Sequence, residues 1–136
     1  MKNSRFVLDT SVLVSAVLIA DSRPAEAFRK ARDTGEILIS FAVAEELNEV
    51  LARDKFERYI TSEDRERFLV ALVQAASLIE GTEQIVACRD PKDDKILELA
   101  VSGQATCIVT SDNDLLALHP FRGIPIRSVE QFLATF

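Results

Sequence analysis

The chain has 136 residues, with 16 Lys and Arg against 22 Asp and Glu and a formal net charge of −6. That length suits one domain over residues 1–136, large enough to bury a core without disulfides or a structural metal. The acidic balance excludes a general nucleic-acid coat, which needs clustered Lys and Arg, but not a nucleic-acid enzyme whose site is itself acidic.

Two cysteines, Cys88 and Cys107, and a single His make neither a disulfide framework nor a tetrahedral zinc site. Both cysteines read as small buried residues in a reduced compartment. The apolar run from Thr10 to Ala20 falls short of the roughly 20 residues a membrane span needs. Asp9 at its edge argues against a signal peptide. The chain therefore reads as cytoplasmic, with no membrane partner.

In chain order, Phe6-Val7-Leu8 is a predicted strand, followed by a short apolar helix over Ser11–Ile19. Pro24–Arg32 is a helix after Ser22, with Pro in its first turn and Gly35 beyond its end. Ile37-Leu38-Ile39 is a second strand. Longer helices are predicted over Ala42–Arg53 and Glu63–Ile79, and Gln84-Ile85-Val86 is a possible strand. Asp93–Ser102 forms a helix that stops at Gly103, before the strand Cys107-Ile108-Val109. Pro125-Ile126-Arg127 is a weak strand, and Ser128 with Gln131 forms a capping box that opens a last helix. Alternating strands and helices imply a three-layer α/β/α sandwich around a mostly parallel sheet of four to five strands. Such folds bind ligands at the carboxyl ends of their strands.

Acids stand there. Asp9 follows the first strand directly, and Asp112 comes three residues after Val109. Each alone also reads as a helix N-cap. Glu46 falls within the stripe Val43, Leu47, Val50, a costly place for a carboxylate unless it is paired, ligates a metal or reaches water at the rim. Asp93 leads Ile96, Leu97 and Ala100 on an inward face, while Asp94 is rotated about 100° from it. Asp93 is favoured as the third site acid and Asp94 kept as its alternative. Four such acids in one cleft would repel each other, and a hard cation relieves that repulsion.

The order and spacing of four segments resemble the PIN-domain family of metal-dependent ribonucleases over nearly the whole chain. They are Val7-Leu8-Asp9-Thr10-Ser11, Glu46-Leu47 after Ser40, Asp90-Pro91-Lys92-Asp93-Asp94-Lys95-Ile96, and Thr110-Ser111-Asp112-Asn113-Asp114. Ile124-Pro125-Ile126 and Glu130-Gln131-Phe132-Leu133 are similar to a bacterial branch, the VapC-like toxins of toxin–antitoxin pairs. The resemblance implies catalysis by Asp9, Glu46, Asp93 and Asp112. Mg²⁺ or Mn²⁺ would be held by Asp9, Asp93 and Asp112, with Glu46 helping to hold the metal or position water and Asp114 binding a second metal or supporting the first. The hydroxyls of Thr10, Ser11 and Thr110 would orient the carboxylates; Ser11 stands where many relatives carry Asn. The implied partners are an RNA substrate, a second copy in a homodimer, and an antitoxin protein.

Substrate contacts are expected from Arg23, in a locally basic segment, and from Lys92 and Lys95, which flank the acids. The window Arg53–Arg67, with five bases and five acids, reads as a solvated helical face. His119 before Pro120 reads as a surface loop residue. Two rival readings stand beside the nuclease: a catalytically silent PIN-like RNA- or protein-binding module, and an α/β phosphatase or phosphoacceptor domain. Ser11 opposes the phosphatase, since it occupies the place of that enzyme's second Asp. The position of Glu46 within a helix opposes the phosphoacceptor.

Overall fold

The computed structural model describes residues 4–80 and 84–135. β1 (Arg5–Leu8) leads into α1 (Thr10–Leu18) and α2 (Arg23–Thr34). β2 (Glu36–Ile39) leads into α3 (Phe41–Leu51), a 3-10 turn over Asp54–Phe56, and α4 (Ser62–Ala75). β3 (Ser77–Leu78) precedes α5 (Pro91–Ser102), and β4 (Cys107–Val109) precedes the short α6 (Asn113–Leu116). β5 (Ile126–Arg127) and α7 (Val129–Thr135) follow. The strands form one sheet in the order β3-β2-β1-β4-β5, and every pairing is parallel. Phe6, Val7 and Leu8 lie opposite Cys107, Ile108 and Val109 in the central pair. All six are buried, as expected of parallel strands covered by helices on both faces. The architecture is the three-layer α/β/α sandwich, with five strands.

Local chemistry sets the helix starts. Ser22, Ser40 and Thr61 accept backbone N–H bonds from Ala25, Val43 and Asp64. Each hydroxyl thereby satisfies one of the otherwise unpaired first-turn donors. The expected capping box is present: Gln131 N–H donates to Ser128 Oγ at 3.1 Å, and Ser128 N–H donates to Gln131 Oε1 at 2.9 Å.

The fifth strand lies elsewhere than the sequence pattern placed it. Gln84–Val86 forms no strand; Ile85 instead donates its N–H to Glu98 Oε2 at 2.9 Å. The strand is Ser77–Leu78, inside the predicted helix Glu63–Ile79. Helix α4 stops at Ala75, the backbone turns extended at Ala76, and Ser77 and Leu78 pair with Leu38 and Ile39. An apolar segment this short satisfies either period, and pairing to β2 decides it. The short α6 and the 3-10 turn were likewise not predicted. No helix among the described residues is long and apolar enough to cross a membrane.

The last helix closes the core. Phe132 is fully buried, with its ring edge-on to Phe6 at 5.2 Å and 75°. Gly35 joins α2 to β2 where a Cβ would meet Ser4 O at 2.5 Å and the Phe6 ring at 2.7 Å. Phe132→Ala should therefore cost about 3–5 kcal/mol in urea unfolding. Val86→Ala, at a side chain 94% exposed, should stay within about 0.5 kcal/mol of the parent.

Candidate active site

In the strand order β3-β2-β1-β4-β5, the chain leaves β1 and β4 toward opposite edges of the sheet. Their carboxyl ends therefore flank the crevice where open α/β sheets hold ligands. Asp9 sits at the end of β1, its N–H bonded to Val109 O at 3.0 Å. One carboxylate oxygen caps α1, accepting from Val12 N at 3.1 Å and from Ser11 Oγ at 2.5 Å. The other accepts the hydroxyl of Thr110. Asp9 is thus an N-cap and a cleft residue at once.

Thr110 is fully buried. Besides donating to Asp9, it accepts the N–H of Asp112 at 3.0 Å, which ties the two strand-end acids together. Asp112 in turn caps α6 by accepting Asp114 N–H at 2.7 Å. Ser111 stands beside Ser11, with 3.1 Å between the hydroxyl oxygens.

Glu46 approaches from α3, half-buried, and accepts the hydroxyl of Thr10 at 3.2 Å. Burial raises its pKa; the Thr10 bond and the charge of Lys92 act against this, and Asp90 and Asp9 add to it. Asp93 comes from the first turn of α5. Its carboxyl is pushed up to about 6, first by burial, then by the charges of Asp112 and Asp90, a hydrogen bond with Asp112, and Asp9. Asp9, Glu46, Asp93 and Asp112 line one cleft of about 240 Å³, together with Thr10, Ser11 and Lys92.

The neighbouring acid does different work. Asp94 is buried and accepts the backbone N–H groups of Ala87 at 3.0 Å and Cys88 at 2.8 Å. The bond from Ala87 is the main cause of its lowered pKa. Asp94 therefore anchors the segment before α5 and does not line the cleft. Burial, with Asp94 nearby, pushes the Cys88 thiol up to about 12, and burial pushes Cys107 up to about 11. Neither is a thiolate near neutral pH, so neither serves as a nucleophile.

Besides Thr110, which is buried behind Asp9, three expected residues lie outside the cleft. Asp114 is exposed and contributes only its backbone N–H to Asp112. Arg23 is exposed at the start of α2. Lys95 is exposed and faces Glu98 at 3.6 Å. His119 accepts the N–H of Ile126 at 2.9 Å and so supports β5. The cleft also contains a residue the sequence reading passed over, Arg53. Its signal was present in the spacing: Glu46, Val50 and Arg53 follow i, i+4, i+7 in the helix predicted over Ala42–Arg53, and all three line the cleft although α3 itself ends at Leu51.

The donor atoms that converge here are all oxygens, the chemistry of a hard divalent cation. Among the described residues, no three acids stand close enough to cage an ion by themselves. That accords with a cation that keeps several waters and uses one or two carboxylates.

Fold and cleft together define an α/β/α protein with a carboxylate site at the switch point of its sheet. The sequence pattern of the PIN domain matches residues 5–114, and the chain belongs to that family. No curated protein matches it by sequence. Among solved structures it is similar to PAE2754 from Pyrobaculum aerophilum, with a TM-score of 0.64 and 18% identity over 96% of this chain and 88% of that one. It is similar to DNA-bound VapBC from Salmonella typhimurium, with a TM-score of 0.61 and 18% identity over 93% and 98% of the two chains. It is also similar to VapBC2 from Rickettsia felis bound to a promoter DNA fragment, with a TM-score of 0.59 and 16% identity over 91% and 98%.

The two adjacent aspartates should respond oppositely to neutralisation. With a folded pKa of about 6 against 3.8, Asp93 favours the folded state most below pH 3.8. That contribution is lost as pH rises through about 6. Asp94, with a lowered folded pKa, contributes stability above pH 3.8 that is lost as pH falls through its folded value. Without metal at pH 7.5, Asp93→Asn should raise stability by on the order of 1 kcal/mol, allowing for solvent screening. Asp94→Asn should lower stability. Thermal melts of both variants against the parent check the pair, and equal shifts of one sign would refute it.

Proposed function

We propose that this PIN domain is a metal-dependent endoribonuclease that hydrolyses phosphodiester bonds of RNA. We further propose that it is the toxin of a toxin–antitoxin pair acting in the cytoplasm. The observation that carries the activity is the convergence of Asp9, Glu46, Asp93 and Asp112 from four chain segments on one cleft. The support for the pairing is the likeness to the two VapBC structures.

Asp93 and Asp112 are the pair best placed to hold Mg²⁺ or Mn²⁺, since both line the cleft and their repulsion is the cost a cation removes. Asp9 would meet the ion through one of its waters, with its orientation fixed by Ser11, Thr110 and the Val12 N–H. When bound, such an ion supplies Lewis acidity at the phosphate and a water of lowered pKa. Glu46 holds the attacking water at Oε2 and takes its proton there, with Thr10 fixing the carboxylate. Lys92 lowers the repulsion that an anionic strand meets on entering. No covalent intermediate is needed, in line with the two inert thiols. An antitoxin and a second copy of the chain are the protein partners this reading includes.

Purified protein incubated with mixed single-stranded RNAs should cleave in Mg²⁺ or Mn²⁺ and stop in EDTA. Asp9→Asn should reduce the rate at least about 100-fold, the scale seen when an oriented electrostatic group is removed. Equal cleavage by parent and variant would overturn the assignment. Because protonated Asp93 competes with metal, the rate should fall as pH drops through about 6. The midpoint should move to lower pH as Mg²⁺ is raised, and a midpoint indifferent to Mg²⁺ would exclude Asp93 as a ligand.

A further inference from the structure

We infer that Arg53 grips a phosphate of the substrate strand adjacent to the one cleaved, an inference that rests on the cleft's acting on RNA. Arg53 lies on the same wall as Glu46 and Val50. It stands two residues past the end of α3, the helix that carries Glu46. From there a long side chain can reach a phosphate beside the one that Glu46 meets.

Its backbone is held on both sides. Arg53 N–H donates to Val50 O at 3.2 Å, and Arg53 O accepts the N–H of Phe56 at 2.9 Å. The residue therefore ends the turns of α3 and opens the 3-10 turn, which gives its side chain a fixed origin. The guanidinium itself is uncommitted. Among the described residues Arg53 forms no ion pair, although four carboxylates line the same cleft. The other cleft cation, Lys92, already acts on Glu46. An exposed arginine with no carboxylate partner keeps its five-donor fork for a ligand, and that fork matches two phosphate oxygens. An anionic strand lying in an acidic cleft needs such a counter-charge beyond the reach of the acids' own cation.

The test titrates a labelled single-stranded RNA 12-mer against wild type, Arg53→Ala and Arg53→Lys. Ca²⁺ replaces Mg²⁺, several salt concentrations are used, and gels check that the RNA stays intact. Arg53→Ala should weaken Kd about tenfold, the value of one charge-assisted contact. It should also reduce the slope of log K against log salt by about 0.7, one phosphate on a single strand. Arg53→Lys should restore the slope but only part of the affinity. In Mg²⁺, Arg53→Ala should raise KM for cleavage and leave kcat nearly unchanged, with Mn²⁺ affinity and Tm at parent values. Parent-like Kd and slope in Arg53→Ala, in a protein that binds RNA, would overturn the role of Arg53 and leave the nuclease standing. Failure of wild type to bind any RNA would overturn both.

Discussion

The acidic end of this sheet depends on one buried hydroxyl. Thr110 directly follows β4, donates its hydroxyl to Asp9 at the end of β1, and accepts the N–H of Asp112 on its other side. Parallel pairing of β1 with β4 brings the two strand ends side by side. It does not by itself aim two like charges into a common cleft, since they would turn apart. Thr110 satisfies Asp9 without neutralising it and fixes the backbone that carries Asp112. A hydroxyl can do both because it donates once and accepts on the same oxygen. A Val of similar shape at this position would leave a buried carboxylate oxygen and an N–H without that partner.

Around that link the fold separates two kinds of acid. Asp90 and the capping oxygen of Asp9 face backbone N–H groups at helix starts, where negative charge is stabilised, and Asp94 faces the N–H groups of the irregular segment before α5. Asp93 and Glu46 lie in a partly buried space near other acids, and burial first, with the charges of Asp90 and Asp9 acting on both and Asp112 acting on Asp93, raises their pKa values. The first group holds the chain; the second is held by it. Adjacent aspartates in one helical turn fall on opposite sides of this division because successive residues differ by about 100° around the axis. The Asp94 bonds to Ala87 and Cys88 also fix the approach of the chain to α5, and so set the direction in which Asp93 points.

Much of this was legible in the sequence because it rests on local rules. Strand β1, the caps at Ser22 and Ser128, and the stripe that turns Glu46 inward follow from period and capping chemistry alone. The separation of Asp93 from Asp94 followed from the same helical geometry, although the burial of Asp94 did not, since its partners are backbone groups of a segment without regular structure. Strand β3 was hidden because its two residues extend an apolar helix without a break, and only pairing with β2 distinguishes them. Arg53 was hidden for a different reason. Counting charges over a window averages it with the solvated bases and acids that follow, whereas its stripe groups it with Glu46 and Val50. Lys95, by contrast, flanks the acids in sequence but faces Glu98 on another side of α5.

The cleft also explains how an acidic protein with a net charge of −6 can be built to receive a polyanion. Uniform surface acidity would repel RNA over about a Debye length, near 8 Å at physiological ionic strength. Here the acids with raised pKa values are gathered where a divalent ion would offset them, and the cleft cations Lys92 and Arg53 stand on separate walls, α5 and the end of α3. Glu46 lies on α3 and Arg53 two residues past its end, so one continuous segment carries both the acid and the uncommitted cation. A strand lying along α3 would then meet carboxylates and cation in a fixed order, and that order is fixed by the packing that buries Val43, Leu47 and Leu51.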